Sequence, residues 1–271
     1  MGSKIVKMNS KTSVMTRILI LVVVLLTGCD MGYDGKVRVV YEPAIDAREA
    51  AALSDIKRSG VVAEIAKFLN NEFYLADNLL IRIGSPTGPQ FDNRYGEIEI
   101  PYRLITETKS TFRRGHPGKS DEEIYNASMD VLMHVLLHEV GHALIDLYDL
   151  PVVRNEEKEV DDLAAILLVE MFEDGGKIVM NAADSFGLRS GSESRAMRGR
   201  AYAGEHGWSI ERFYNMACLV YGKSPNKMNQ KQSLVAIAAR DVGECRERYK
   251  TRKEYWISTL WPQLRNKSYW K

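Results

Sequence analysis

The chain has 271 residues, of which 45% are hydrophobic and 27% charged, and its formal net charge is +1 at pH 7. This length and composition suit a globular protein of one large or two modest domains, and they exclude a disordered chain. Four of the 37 basic residues and no acidic residue precede position 29, which leaves 33 basic against 36 acidic residues. The chain from residue 29 onward is therefore close to neutral and has no long basic stripe. Its charge gives no reason to expect binding to nucleic acid.

The N-terminus has the pattern of a targeting segment. Scattered cations precede the apolar run ILILVVVLL, and LTGC follows it. The run is much shorter than the ~20 residues that span a bilayer, which predicts a signal peptide at residues 1–28. LTGC resembles the bacterial lipoprotein box, in which the cysteine is acylated, here Cys29. We therefore expect a lipid anchor on the exported side of a membrane of the cell envelope. An ordinary signal peptide with a chance cysteine, or a short signal anchor, is the alternative.

Residues 29–50 show little periodicity and predict a tether, apart from a possible short strand at KVRVVYEP. Apolar residues recur at helical spacing within residues 46–73, which predicts a helical segment. NLLIRIG follows as a candidate strand, and SPTGPQFDN is rich in turn-forming residues. The α/β part of the domain is therefore expected at about 51–150.

The segment GEIEIPYR alternates apolar and polar residues, which is typical of a half-exposed strand. Pro101 cannot donate a hydrogen bond to a neighbouring strand, so the segment predicts an edge strand or a strand end. Such a strand could hold an extended peptide by edge addition.

Capping signals mark the helices that come next. Ser120 and Glu123 form a capping box that opens a helix from Asp121 to about Asp149. Asn155 can cap a second helix that Gly175 and Gly176 would close. Further helices are expected near 178–188, from 209 to 221 and from about 231 to 261, so a mainly helical part fills about 151–271. The predicted fold class is α+β, a small N-terminal sheet followed by helices.

The central motif is HEVGH at residues 138–142, inside a long apolar run. On a helix His138 and His142 lie on one face, about 6 Å apart, so both imidazoles can bind one zinc ion. Glu139 lies between them, where it can act on a water molecule rather than on the metal. The five-residue pattern also arises by chance, but the apolar flanks would leave two buried histidines without partners. Gly141 costs about 1 kcal/mol inside a helix, so another element is expected to pack closely against it.

A catalytic zinc needs a third protein ligand and an open fourth position. In NEEKEVDDLAA, Glu157 and Asp161 are four residues apart on the inward stripe of the next helix. We assign Glu157 as the third ligand, with Glu156 and Glu159 as alternatives, because acidic residues crowd the first turns of helices in general. Asp161 is expected to accept a hydrogen bond from a ligand imidazole and to fix its tautomer.

The remaining histidines have less defined roles. Hydrolysis needs a donor to the developing oxyanion, and His206 or Tyr214 could supply it, although His206 could equally be a solvated loop residue. His134 extends the histidine stripe by one turn and is expected to support a ligand or to belong to the core. His116 is expected to be exposed in a loop.

Export would leave Cys218 and Cys245 in an oxidising compartment. An even pair of cysteines there predicts a disulfide, which would stabilise the fold by roughly 2–4 kcal/mol. Two buried free thiols are the alternative.

These motifs carry a family resemblance. HEVGH followed by Glu157 and Asp161 is similar to the glutamate-type zincins, thermolysin-like peptidases whose third zinc ligand is a glutamate on a second helix. The stretches HEVGHALIDLYDLPV, NEEKEVDDLAA and EHGWSIERFYNMACLVYGKSP resemble a bacterial metallopeptidase family classified as domain of unknown function 4344. The resemblance covers most of residues 90–262, and ERFYNMACLVYG is its most specific part. It implies a zincin-like fold, a zinc cofactor and a Cys218–Cys245 pairing.

The combined interpretation is a membrane-anchored, zinc-dependent hydrolase that cleaves peptide or protein substrates. In it His138, His142 and Glu157 hold zinc, and Glu139 is the general base. One alternative is a zinc amidase or cell-wall hydrolase with the same metal centre. Another is a non-catalytic zincin scaffold that binds envelope partners, for which a retained Glu139 would have no use.

Overall fold

The structure is a computed structural model, and it describes residues 35–152, 155–196, 210–224 and 242–270. The predictions for the signal peptide, Cys29 and His206 concern residues outside these ranges. Among the described residues no helix has both the length and the apolar character needed to cross a membrane.

The described residues form a four-stranded sheet and eight helices, so the predicted α+β class is confirmed. The strands are β1 (Val37–Tyr41), β2 (Leu79–Ile83), β3 (Gln90–Asp92) and β4 (Glu97–Ile100). The helices are α1 (Ala47–Ser59), α2 (Val61–Glu72), α3 (Arg103–Gly115), α4 (Asp121–Tyr148), α5 (Glu156–Met171), α6 (Gly175–Ala196), α7 (Ile210–Lys223) and α8 (Val242–Leu260).

The segment assigned to the tether is partly folded. The possible strand at KVRVVYEP is present as β1, which pairs in parallel with β2 from Val37 opposite Leu79 onward. Helix α1 follows at Ala47, where the Asp46 side chain caps it by accepting hydrogen bonds from two backbone amides. The prediction of a tether over 29–50 is therefore wrong from residue 37 onward, because sheet pairing outweighs the weak local periodicity.

The sheet has the order β1-β2-β4-β3, with parallel pairs except for the antiparallel β3–β4 pair. The prediction of an edge strand at GEIEIPYR is wrong, because β4 lies between β2 and β3. The alternative, a strand end, is correct: β4 ends at Ile100, so the missing amide of Pro101 interrupts no pairing. The outer position belongs to β3, a strand inside the segment that the sequence marked only as turn-rich.

The predicted helical segment at 46–73 contains a break. Gly60 has a backbone φ of 73°, a left-handed conformation that suits glycine, and it separates α1 from α2. The next two helices begin at their predicted caps, the Ser120–Glu123 capping box and the Asn155 side chain. Gly175 does not close α5, which ends at Met171. It opens α6, where a Cβ on Gly175 would collide with the Leu168 carbonyl oxygen at 1.8 Å.

Helix α4 is the centre of the domain. Eighteen of its 28 residues are buried, and they lie all round the helix, which is typical of a helix enclosed by other elements. Helices α3, α5 and α6 pack around it, and α2, β3 and β4 also touch it. The two histidines of the HEVGH motif therefore lie on a helix that is enclosed by other elements.

The close contact predicted at Gly141 is present. A Cβ placed on Gly141 would lie 2.9 Å from the Cβ of Val160 on α5, closer than real side chains approach. The absence of a side chain at Gly141 therefore lets α5 lie directly against the histidine face of α4.

Two connections close the helical part of the fold. A disulfide joins Cys218 on α7 to Cys245 on α8, with an S–S distance of 2.01 Å, so the predicted pairing is confirmed. After α8, the C-terminal segment returns to the end of α2, where the Arg265 backbone amide donates to the Glu72 carbonyl at 2.7 Å. The Arg265 side chain also donates to the Phe73 carbonyl, across 192 residues of sequence.

We expect Gly141→Ala to destabilise the protein by about 1–3 kcal/mol, although alanine is the better helix former. The added methyl group would collide with Val160, whose branched side chain cannot rotate away from it. Chemical denaturation measures the difference in free energy of unfolding.

The matched control is Gly187→Ala in α6, where the added methyl group would meet Phe213 at an ordinary 3.5 Å. That variant should be as stable as the wild type or more so. The double variant Gly141→Ala/Val160→Ala should regain part of the stability lost in Gly141→Ala, because the smaller side chain at position 160 removes the collision. If it regains none, this contact does not set the distance between α4 and α5.

Candidate metal centre

Three predicted side chains meet where α4 and α5 pack together. One nitrogen of His138, one nitrogen of His142 and one oxygen of Glu157 all lie within 4.8 Å of one another. The Nε2 atoms of His138 and His142 lie 3.4 and 3.3 Å from the Glu157 carboxylate oxygens. The histidines are one turn apart on α4, and Glu157 comes from the first turn of α5. Two nitrogens and one carboxylate oxygen are the donor set of a catalytic zinc site of the His-His-Glu type.

A second carboxylate orients each imidazole. His138 Nδ1 lies 2.9 Å from Asp161 Oδ1, as the sequence predicts for Asp161, and His142 Nδ1 lies 2.6 Å from Glu156 Oε1. When each Nδ1–H donates to its carboxylate, each Nε2 presents a lone pair toward Glu157. Such outer hydrogen bonds fix the tautomer and raise the basicity of metal-binding histidines.

Asp161 is itself held by a cation that the sequence did not reveal. Arg212 on α7 donates to both carboxylate oxygens of Asp161, at 2.6 and 2.5 Å, in a two-pronged ion pair. The guanidinium group also lies 4.4 Å from the centroid of the Phe186 ring. Helix α7 is thereby connected to His138 through Asp161.

The alternatives for the third ligand occupy other positions. The Glu159 side chain is fully buried and pairs with Arg252 on α8, away from the two histidines. Glu156 contacts His142 at Nδ1, the nitrogen opposite the one that faces Glu157. The geometry therefore favours Glu157 over both.

Glu139 is almost fully enclosed beside the histidines. The residue is 1% exposed, and its Oε2 atom has no hydrogen-bond partner among the described residues. A buried carboxylate oxygen without a partner destabilises a fold, so its retention calls for a role in binding or catalysis.

The surroundings of the histidines stabilise positive charge. Burial lowers the pKa of His138, but hydrogen bonds to Asp161 and Glu157 outweigh it and raise the pKa to about 9. The pKa of His142 is also raised, because Glu157 and Glu156 outweigh its burial. Burial opposes ionisation of Asp161 too, but the Arg212 charge and the His138 hydrogen bond hold its pKa well below the usual value. A site that binds protons this readily also attracts a divalent cation, which would compete with those protons.

The other predicted histidines lie elsewhere. His134 is fully buried, edge-on to Phe186, and burial lowers its pKa to about 3, so it is a neutral core residue. His116 is not freely exposed, since its Nε2 lies 2.6 Å from the Asp184 carboxylate on α6. Tyr214 is half-buried and stacks edge-on against Phe213.

An open cleft of about 570 Å³ leads to the candidate centre. Phe91 of β3 and Asn93, just after this strand, line the cleft together with His142 and Glu157. The cleft therefore lies beside the terminal strand of the described sheet and reaches side chains that could hold a metal.

Two residues that contact the candidate centre, Arg212 and Glu156, were not assigned these contacts from the sequence. The sequence held only an indirect indication of the ion pair made by Arg212. Three acidic residues of the α5 segment, Glu159, Asp161 and Asp162, lie at buried positions, and each needs a counter-charge. Helical spacing cannot tell which distant arginine supplies it. Glu156 was considered only as an alternative ligand, because the side chain that contacts Nδ1 depends on how the helices cross.

A family model described as "Putative metallopeptidase", domain of unknown function 4344, matches residues 41–260. The chain belongs to this family. The match spans both candidate helices and the α7–α8 pair, and it supports a metal-dependent hydrolase. The chain has no significant match among curated proteins or among solved structures.

We expect Arg212→Met to destabilise the domain by about 3–5 kcal/mol, because it leaves the Asp161 carboxylate buried without its main counter-charge. Adding Asp161→Asn removes that charge and should recover much of the loss in a double-mutant cycle. Thermal and chemical denaturation measure both effects. Simple additivity of the two single losses would show that the pair does not act as a unit.

Proposed function

We propose that this family member is a zinc peptidase of the zincin type, anchored by lipid to a membrane of the bacterial cell envelope. The observation that carries the proposal is the convergence of His138, His142 and Glu157, each histidine oriented by its own carboxylate. A chance pair of histidines on a buried helix would not also be matched to three acidic side chains of the facing helix.

The residues fit zinc better than calcium or magnesium, since two of the three donors are imidazole nitrogens and the hard cations take oxygen ligands. His138, His142 and Glu157 would hold the ion, and Asp161 and Glu156 would orient its two imidazoles. A zinc ion bound there supplies Lewis acidity, which polarises the scissile carbonyl group and lowers the pKa of the attacking water.

Glu139 is the proposed general base. Its position between the histidines on α4 and its partnerless Oε2 suit it to take a proton from the attacking water and pass it to the leaving amine nitrogen. The alternative, a scaffold without activity, does not account for a carboxylate kept buried in this position. His206 or Tyr214 is the proposed donor to the developing oxyanion.

The edge available to a peptide is that of β3, not of β4. In the described sheet β3 is the terminal strand, and Phe91 of β3 lines the cleft together with His142. An extended substrate could pair with the outer edge of β3 and place its scissile bond beside the two histidines. The strand proposed to pair with the peptide is therefore β3 rather than β4. The mode of binding, edge addition, is the one expected from the sequence.

The proposed location rests on two features. LTGC at Leu26–Cys29 predicts acylation at Cys29, and the Cys218–Cys245 disulfide suits an oxidising compartment outside the cytoplasm. The peptidase would then act on peptides or proteins at the exported face of the membrane.

The purified protein should contain one zinc ion per chain, and Glu157→Gln should lose it, because an amide cannot replace the charged carboxylate ligand. Mass spectrometry of the metal content after dialysis against trace zinc measures this. Glu156→Gln should keep the zinc with an affinity about 10–100 times weaker, since it removes only the outer hydrogen bond to His142.

Glu64→Gln, on the exposed face of α2, is the matched control and should bind zinc as the wild type does. Circular dichroism of each variant separates loss of the ligand from loss of the fold. Full zinc content in a folded Glu157→Gln protein would exclude Glu157 as a ligand.

Glu139→Gln should retain its zinc but lose peptidase activity by about 10²–10⁴-fold, because the amide cannot accept the proton of the water. A library of internally quenched fluorescent peptides, screened against wild type and variant, measures cleavage. Equal cleavage by both proteins would overturn the role of Glu139, and zinc-loaded wild type without cleavage would overturn the peptidase assignment.

A further inference from the structure

The outer edge of β1 carries backbone groups that the sheet does not use. In a parallel pair, alternate residues of a strand direct their N–H and C=O groups to the neighbouring strand. The Glu42 amide donates to the Ile83 carbonyl at 2.8 Å, so the even-numbered residues of this segment face β2. The odd-numbered residues Val37, Val39 and Tyr41 therefore direct their backbone groups away from the sheet.

Helix α2 covers one end of this edge. The Asn70 side chain accepts from the Val37 amide at 2.9 Å and donates to the Val37 carbonyl at 3.2 Å, as the backbone of a neighbouring strand would. The backbone N–H and C=O groups of Val39 and Tyr41 have no partner among the residues that the structure describes. An uncovered strand edge is a template for pairing with another chain. The part of the edge that can pair is thus limited to residues 39–41.

The side chains of this open edge do not block such pairing. Proteins usually protect an edge strand with a charge or a proline, but the residue at the middle of this one is Val40, which is 40% exposed. Arg38 and Glu42 lie on the same face as Val40, because alternate residues of a strand share a face. Glu42 pairs with Arg82 of β2, whereas the Arg38 side chain has no acidic partner in the described part of the chain. The open edge therefore presents an apolar centre between a cation and a carboxylate.

A second copy of β1 complements this edge when the two strands run antiparallel and the pairing centres on Val40. Val39 of each copy then lies opposite Tyr41 of the other, and their backbone groups exchange hydrogen bonds. Arg38 of each copy lies opposite Glu42 of the other, and oppositely charged residues across a strand pair stabilise a sheet. The edge is thus complementary to itself in both hydrogen bonding and charge.

The neighbouring registers lose these contacts. Moving the centre by one residue toward the N-terminus places Tyr41 opposite Val37, whose backbone groups Asn70 already satisfies. Moving it by one residue toward the C-terminus places Val39 opposite Pro43, which has no N–H to donate. Either change also separates the opposite charges. The residues around the open edge therefore favour the single register in which its backbone groups find partners.

We propose that β1 is a dimerisation strand, which pairs in antiparallel orientation with β1 of a second copy of this chain in the register centred on Val40. A contact limited to the open edge is smaller than the roughly 800 Å² per partner of a stable complex, so the dimer forms reversibly and depends on concentration. The inference is independent of the metal centre and stands whether or not the protein cleaves peptides.

The first test is disulfide cross-linking of Val40→Cys in the purified full chain, in a neutral detergent under mild oxidation. Residue 40 would face its own copy in a non-hydrogen-bonded pair, where the Cα atoms lie about 4.5 Å apart and a disulfide fits. Glu122→Cys, at an exposed position of α4, is the matched control for random collision, and the wild type reports any reaction of the natural cysteines. We expect Val40→Cys to form covalent dimer about tenfold faster than Glu122→Cys, because pairing raises the effective concentration of the thiols.

The second test adds Arg38→Glu to Val40→Cys. The new carboxylate would lie opposite Glu42 of the second copy at both ends of the pairing, which should weaken the dimer and slow cross-linking by about tenfold. Arg48→Glu, the same change at an exposed position of α1, should have no effect, and circular dichroism establishes that each variant is folded. Cross-linking of Val40→Cys no faster than that of Glu122→Cys, as expected if the edge binds a different protein, would overturn the proposal. Equal effects of Arg38→Glu and Arg48→Glu would do the same.

Discussion

The structure depends on how α5 buries its acidic side chains. A carboxylate is stable inside a protein only where a counter-charge and hydrogen bonds replace its water. Three carboxylates of α5 are buried, and each meets an arginine from α7 or α8. The pairs are Arg212–Asp161, Arg248–Asp162 and Arg252–Glu159. Because the disulfide joins α7 to α8, the three arginines are presented by one cross-linked unit.

This arrangement separates Glu157 from the three carboxylates that pair with arginines of α7 and α8. Glu157 lies in the first turn of α5, before those carboxylates, and its described neighbours include the two imidazoles. The contact of Gly141 with Val160 sets the spacing of α4 and α5, and the arginines set which side of α5 turns away from the histidines. Packing and charge together therefore orient the side chains of the candidate centre, and neither would do so alone.

The parts of the site that depend on local spacing could be predicted from the sequence. Residues four apart on a helix share a face, so His138 with His142 and Glu157 with Asp161 followed from the 3.6-residue period. The caps of α4 and α5 followed from side chains that accept hydrogen bonds from backbone amides. The close approach at Gly141 followed from the cost of glycine in a helix.

Features that depend on distant contacts could not be predicted in this way. Three-residue β3 is too short to show a period, and its place at the edge of the sheet is set by pairing with β4. Strand β1 belongs to the domain because β2, some 40 residues later, pairs with it. Arg212 reaches Asp161 from 51 positions away, and although it lies in the family-specific stretch ERFYNMACLVYG, nothing in that stretch indicates which carboxylate it pairs with.

The return of the C-terminal segment to α2 has a consequence for how the chain reaches its fold. Contacts across 192 residues can form only after nearly the whole polypeptide is available, and such long-range closure slows folding. If the chain is exported unfolded with its N-terminus first, the domain cannot make this contact until Arg265 has crossed the membrane. The chain would then stay open over most of its transport.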